Sequence, residues 1–433
     1  MVAFSSWGNL RREEHDIREY FRFSGIFDYL NADKKSLPLG NGRSYGDVCT
    51  NSNGILIHSQ NLQHFLEFDP ENMTFSCESG CLLKDIQRFL VPRGFMLPVT
   101  PGTQLITVGG AIANDVHCKN HHKFGTFGHN VVEFTLVRSN GEELICSKTQ
   151  NKELFEATIG GIGLTGLIIN AKLKLRKVAG CLIDAENIPY KTLDEFYDIA
   201  KSSEGGFEHT VAWIDCITGN GERGIFMRGN NADDQNAYDL NSSIKVPFMM
   251  PFSLVNKLSL YGFNQLYYIA QKMKKRKFKA HYEKFFYPLD GILEWNRIYG
   301  PKGFFQYQCV VPFKNGFEAI KEIQKEIAKS GQGSFLGVLK TFGNMPPAGL
   351  MSFPEPGFTY ALDFPNRGVK TEKLFKALDS IVENAGGRLY LAKDARQGRE
   401  LFEKGYGTER INQFVKYCDP QFSSDLSRRL LGF

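Results

Sequence analysis

Apolar residues recur along the chain with two distinct periods. In LLKDIQRFLVPRG, Leu82, Leu83, Ile86, Phe89 and Leu90 fall three or four apart before Pro92 and Gly94 close the run, which predicts a short amphipathic helix. FKNGFEAIKEIQKEIAKSG (313–331) and TEKLFKALDSIVENAGG (371–387) show the same spacing, and glycine stops each one, predicting two longer helices. Between these lie short β-type runs: GILIHS, FTLVRSNGEELIC, LTGLIINAKLKLRKV, AWIDCI, GIFMRG and FFQYQCVVP. The second of them folds back as a hairpin around Ser139-Asn140-Gly141. The pattern is that of an α+β protein. Its first third, to about residue 178, alternates strands with glycine turns. A meander of strands crossed by helices follows, forming a second, substrate-facing part.

A chain of 433 residues fits two domains with ample apolar content to bury. The charge balance, 52 Lys and Arg against 47 Asp and Glu, is only mildly basic, so no nucleic-acid partner follows from it. Nine scattered cysteines, odd in number and without a CxxC spacing, suit free thiols in a reducing compartment. The pair Cys77 and Cys81 in CESGC has no matching second pair, which argues against structural zinc. The N-terminal segment lacks the apolar core of a signal peptide, and no window approaches the roughly 18 apolar residues of a membrane span. The expected location is cytoplasmic or peripheral to a membrane.

One stretch breaks the alternation. From Ile244 to Lys284 an apolar, aromatic and Met-rich run joins a basic cluster of Lys272, Lys274, Lys275, Arg276, Lys277 and Lys279. Two readings stay open: a core helix with a solvated charged end, or an amphipathic element lying on an anionic lipid surface.

Four glycine-rich segments fall within the first third: GNGRSYG (40–46), PGT (101–103), TVGGAIANDVH (107–117) and GGIGLTG (160–166). One such loop usually makes only a turn. Four together suggest backbone N–H groups gathered around a pyrophosphate. The strand–GxGxxG–helix context of a doubly wound nucleotide site is missing, so a large dinucleotide held by several loops is expected instead of one held at a helix terminus.

GNGRSYGD, LPVTPGTQLITVGGAIANDVHCKNHHKFGTFG, LFEATIGGIGLTG, FYPLDGILEWNRIYG, GFFQYQCVVP, RLYLAKD and DPQFSSDLSRRL together resemble the FAD-linked oxidases of the vanillyl-alcohol oxidase superfamily. The nearest branch acts on polyprenyl-phosphoryl ribose. The resemblance runs through nearly the whole chain in motif order. It implies a PCMH-type FAD-binding domain at 1–178, a substrate-binding domain with an antiparallel sheet and helices at 179–388, and a segment returning to the FAD domain at 389–433. It further implies oxidation of the sugar 2-hydroxyl to a ketone, the first half of a 2′-epimerisation in cell-wall biosynthesis, with a short-chain reductase acting on the keto product. Two alternatives stay open: a soluble sugar, alditol or aldonolactone oxidase using oxygen, and a non-catalytic flavin-binding or membrane-docking subunit.

By position, the resemblance assigns the FAD site to Pro38, Gly40, Asn41, Gly42, Arg43, Ser44, Tyr45 and Gly46. To these it adds Gly102, Thr107, Val108, Gly109, Gly110, Asn114 and His117, with Ile168 at the adenine end and Tyr390 on the flavin side. Covalent members carry a histidine bonded to flavin in this loop. Arg43 stands there instead and cannot form that bond, so FAD is expected to be non-covalent.

Of the three histidines in HCKNHH (117–122), the resemblance raises only His117, beside the flavin; no acidic or Cys partners accompany them at metal-ligand spacing, and no metal is expected. Lys393, on its own merits a surface residue after the apolar run GRLYLA, becomes by resemblance the cation at flavin and substrate. Such a cation suits the reaction, because negative charge develops on the substrate oxygen and the flavin ring as hydride leaves carbon. Lys393, His117 and Tyr45 are the catalytic candidates, with the base left open among them. Gln306 and Gln308 alternate, so they share one face of a strand. By resemblance that face, with Tyr299 and Lys340, looks on the substrate, and a lysine suits its phosphate. The branch also carries a cysteine beside the flavin that nitroaromatic inhibitors capture; Ala361 takes that place here.

Overall fold

The computed structural model describes residues 2–31, 33–218, 221–234 and 243–433. They form an α+β protein built around three larger sheets. In the N-terminal sheet of four strands, Glu13–Glu19 and Ser36–Leu39 flank Ile55–His58 in parallel, and Val2–Phe4 adds an antiparallel edge. Ile55, Leu56 and Ile57 are all fully buried. They read as an unbroken apolar run because this central strand is covered on both faces.

The second sheet is antiparallel, in the order Phe65–Asp69, Thr74–Glu78, Leu167–Lys174, Val131–Val137, Glu143–Ser147. The helix Leu83–Leu90 buries Leu83, Ile86, Gln87 and Leu90 against it, and Gly94 closes that turn with φ +78°. One segment expected as a glycine loop differs: Val108–Ala113 is a short helix. Thr107 Oγ1 caps it by accepting from the Gly110 N–H at 3.1 Å, a preferred N-cap arrangement. Gly109 lets its first turn settle onto the Ser79 carbonyl at 2.8 Å.

The third sheet has eight antiparallel strands, in the order Lys277–His281, Leu182–Tyr190, Gly224–Asn231, His209–Ile214, Val338–Phe342, Gly357–Pro365, Phe304–Pro312, Arg388–Leu389. Its rear face carries Phe226, Ala212, Leu339, Tyr360, Leu362, Tyr307 and Cys309, packed under Leu193–Ser203, Phe313–Ser330 and Val369–Asn384. Alternation sends the neighbouring residues of each strand to the front. The C-terminal helices return to the first sheet, where Phe402, Phe414, Leu426 and Leu430 pack with Leu37, Leu39, Val48 and Leu56.

The Ile244–Lys284 stretch is not a core helix. Lys257–Met273, capped by Asn256, buries only Leu260, Asn264 and Tyr268, one stripe four residues apart. Leu258, Tyr261, Phe263, Leu266, Ile269 and Met273 are exposed. Among the described residues no helix is long and apolar enough to cross a membrane.

Candidate active site

The glycine loop leaves the strand Ser36–Leu39 and runs against the capped helix. A Cβ on Gly40 would lie 2.4 Å from Thr107 Oγ1, and Gly42 sits at φ +59°, so the close approach and the turn both call for glycine. Asn41 Nδ2 donates to the Leu105 carbonyl at 2.7 Å, and Arg43 Nη1 donates to the Asn41 carbonyl at 3.0 Å. The Arg43 guanidinium lies 4.5 Å over the Trp7 ring. At the far end the Tyr45 N–H bonds the Ala392 carbonyl at 3.1 Å, tying this loop to the segment that bears Lys393.

These elements border a cavity of about 1500 Å³, larger than the roughly 300–1,000 Å³ that accommodates one ordinary small ligand. Pro38, Gly40, Asn41, Gly42, Arg43, Ser44 and Tyr45 form one wall; Gly102, Thr107, Gly109, Gly110, Asn114 and His117 face them. Ile168 and Tyr390 also border it, as do Tyr299, Gln306, Gln308, Lys340 and Lys393. Two assigned residues lie apart. Val108 points into the core of the second sheet and is fully buried there. Gly46 is pressed against backbone, since a Cβ on it would fall 1.6 Å from the Asp394 carbonyl oxygen.

The front face of the large sheet is the cavity floor. Trp213, Val338, Ala361 and Gln308 are register partners across four strands, and Gln306 pairs with Asp363. Polarity rises along that row, from Trp213 and Val338 to the glutamines. Gln308 Nε2 donates to His117 Nε2 at 3.0 Å, leaving the ring proton on Nδ1. The imidazole sits among Phe342, Phe353 and Tyr390, with centroids 4.9 to 5.6 Å away. Burial, with Lys340 adding to it, holds its pKa well below the usual histidine value, so it is neutral. His121 and His122 serve elsewhere: the first packs on Phe342 at 4.7 Å and the second bonds the Phe207 carbonyl at 2.9 Å.

Lys393 ends a turn that Asp394 fixes, its carboxylate accepting from the Arg396 and Gln397 N–H groups and from Arg429. Its Nζ stands 3.7 Å over the Tyr45 ring. Burial pulls the Lys393 pKa down to about 7, against the opposing pull of Asp363. Burial likewise raises Asp363 to about 7. Tyr45 is pushed well above its ordinary value by burial and by Asp363, so it is a neutral hydroxyl on an aromatic wall. Lys340 Nζ donates to the Cys118 carbonyl at 3.1 Å, and burial draws its pKa to about 8. Lys119, bonded to the Phe285 carbonyl, is drawn to about 8 for the same reason. Three half-buried lysines, Lys119, Lys340 and Lys393, thus border one cavity and give it a positive lining.

The residues fit FAD. Arg43 Nε, Ser79 Oγ, Asn114 Oδ1 and His117 Nδ1 border the cavity buried and without a protein partner, and buried polar atoms of that kind call for one. A Cβ on Gly102 would meet nothing within 4 Å, so backbone is open to a ligand there.

Asp363 and Lys119 were not singled out from the sequence. Asp363 carries a signal in retrospect: Thr359, Ala361 and Asp363 alternate in GFTYALDFP just as Gln306 and Gln308 do. Lys119 follows His117 by two within the noted motif, yet nothing in its spacing marks it as a cavity residue.

Residues 24–147 match the FAD binding domain family. The chain is 35% identical over 412 residues to decaprenylphosphoryl-β-D-ribose oxidase of Mycolicibacterium smegmatis, covering 90% of this chain and 88% of that protein. It is 28% identical over 370 residues to a protein of Streptomyces coelicolor, covering 80% and 99% of the two. It is 32% identical over 142 residues to L-gulonolactone oxidase of Mus musculus, about a third of each chain.

Proposed function

The chain belongs to the decaprenylphosphoryl-ribose oxidase family of FAD-dependent oxidoreductases, and on that premise we propose that it oxidises the 2-hydroxyl of a polyprenyl-phosphoryl ribose to the 2-keto sugar. The observation that carries this reading is the pairing, in one cavity, of a flavin-sized glycine cradle with Lys393, Gln306, Gln308 and Lys340 on the facing sheet. In this assignment residues 1–178 hold FAD, 179–388 the substrate, and 389–433 bring Lys393 back to the flavin.

The glycine cradle, with Arg43, Asn114 and His117, would hold FAD, which when bound would supply the two-electron acceptor for the hydride leaving carbon 2. The protein supplies the rest. Lys340 and Lys119, cationic side chains on the cavity wall, attract the phosphate. Gln306 and Gln308 orient the ribose hydroxyls. Gln308 is itself held by His117, which acts as a neutral acceptor and keeps the amide in place. Lys393, drawn to about 7, accepts the hydroxyl proton as the free amine. The resulting ammonium would then balance negative charge developing at the cofactor end of the cavity. Asp363 tunes how readily Lys393 takes that proton.

The keto product is a fit substrate for a short-chain reductase, which would return it with inverted configuration. The exposed apolar residues of Lys257–Met273, continued by the basic run to Lys279, support peripheral contact with an anionic membrane where such a substrate resides. An aldonolactone oxidase reading has only a third of the chain behind it and leaves the apolar side of the cavity without a use.

Product trapping tests the reaction. Borodeuteride reduction of the product formed from farnesyl-phosphoryl ribose should place deuterium at carbon 2 in a mixture of ribo and arabino sugars. Deuterium at any other carbon, or none, contradicts the reading.

A further inference from the structure

The cavity has a second arm that the redox chemistry does not use. Beyond Val338 the floor becomes Trp213, Val211 and Met227, and the roof is the inner flank of the Lys257–Met273 helix, through Phe263 and Tyr267. Trp213 and Tyr267 meet edge to face at 4.7 Å, and Phe263 packs on Phe335 at 4.9 Å. Trp213 is held in place by its indole N–H donating to the Phe335 carbonyl at 2.9 Å. The arm is continuous with the flavin end, and its mouth is bordered by Gln271, Lys274 and Lys275. The helix over it turns Leu258, Leu266 and Met273, each more than 70% exposed, to the outside.

The cavity is therefore amphiphilic along a single row of the sheet. Gln308 and Ala361 lie at one end, and Val338 and Trp213 lie next to them, strand by strand. A polar ligand filling the flavin end would leave this arm as apolar surface facing water, which is costly. An isoprenoid chain joined to a phosphorylated sugar has the matching order of polarity.

We propose that the arm lined by Trp213, Met227, Phe263 and Tyr267 is the binding subsite for the first isoprene units of the substrate, which lie along these packed side chains. The chain enters at the Lys274–Lys275 mouth directly from the lipid face of the Lys257–Met273 helix. This rests on the proposed lipid-linked substrate and adds where its lipid is read. Chain recognition is then a property of the arm, separable from the catalytic end.

The test has a binding half and a turnover half. Farnesyl phosphate, without sugar, is titrated into the holoprotein while tryptophan fluorescence is followed, with methyl phosphate as the control. The expected result is a saturable change with farnesyl phosphate alone that is lost in Trp213→Phe. No change, or the same change in Trp213→Phe, overturns the subsite.

In turnover, anaerobic flavin reduction is compared between farnesyl-phosphoryl ribose and methyl-phosphoryl ribose. The apparent KM should favour the farnesyl compound by about tenfold or more. Phe263→Asp, on the partly exposed helix flank where folding tolerates it, should erase that preference while leaving the limiting rate and the methyl compound's KM unchanged. Equal KM values in the unmodified protein, or an equal loss for both substrates in Phe263→Asp, would overturn the subsite while leaving the ribose oxidation intact. Farnesyl phosphate binding with no flavin reduction by either ribose would instead remove the substrate reading and keep the arm.

Discussion

Asp363 Oδ1 accepts a hydrogen bond from Gln306 Nε2 at 2.6 Å across two paired strands, while its second oxygen is buried without a partner. This carboxyl borders the same cavity as Lys393, and each influences the other's proton. A negative Asp363 favours the ammonium form of Lys393, whereas the neighbouring Lys340 disfavours it.

The pH dependence follows with a definite sign. If the free amine of Lys393 is the base, the rate of flavin reduction rises with pH through an apparent pKa near 7. Asp363→Asn removes the charge that favours the ammonium, so the limb moves to lower pH. Lys340→Met removes a repelling cation, so it moves to higher pH. Lys393→Met should slow reduction by about 10²- to 10³-fold and flatten the profile, with the bound flavin spectrum retained. Stopped-flow reduction across pH 5 to 10 checks all three, and shifts in the same direction for Asp363→Asn and Lys340→Met would contradict the role given to Lys393.

FAD is expected to leave the chain on denaturation. By the resemblance, Arg43 takes the loop position of a flavin-linked histidine; its Nη1 donates to the Asn41 carbonyl and its guanidinium lies over the Trp7 ring, and an arginine cannot form that bond. Acid precipitation should leave all yellow colour in the supernatant; flavin mass retained on the polypeptide would reverse this assignment.

Ala361 leaves the wall of the site without a thiol between Gln308 and Val338. Cys309, next in sequence to Gln308, faces the opposite side of the sheet within the rear core. Intact mass after incubation with an activated nitroaromatic inhibitor should show an unmodified chain, and Ala361→Cys should gain one adduct. An adduct on the unmodified protein would show that another thiol reaches the bound inhibitor.

The basic run beside the exposed helix predicts binding to vesicles containing phosphatidylserine and little to neutral ones. Each lysine near an anionic surface contributes on the order of 1 kcal/mol. Lys274→Glu with Lys275→Glu should therefore weaken sedimentation with such vesicles by more than about tenfold. Unchanged binding would make these lysines a solvated edge.

Much of this site was readable in the residues. The glycine segments declared close backbone approach, and Gln306 and Gln308 declared a shared strand face because a period of two leaves no other geometry. Val108–Ala113 was not legible as a helix: two glycines in six residues oppose helix propensity, and tertiary packing of Gly109 on Ser79 overrides it. Asp363 and Lys119 were hidden for a different reason. Their importance lies in facing one cavity with charges distant in sequence, and no local pattern encodes that. The exposed face of Lys257–Met273 was open between two readings, since periodicity fixes which residues share a face but not what covers it.

The central claim is tested most directly by the visible spectrum of the holoprotein under anaerobic titration with farnesyl-phosphoryl ribose and, separately, with free ribose. The account predicts stoichiometric bleaching of the flavin bands by the lipid-linked sugar and none by ribose at equal concentration. Flavin bands that persist with the lipid-linked sugar, or that bleach equally with ribose, would contradict it.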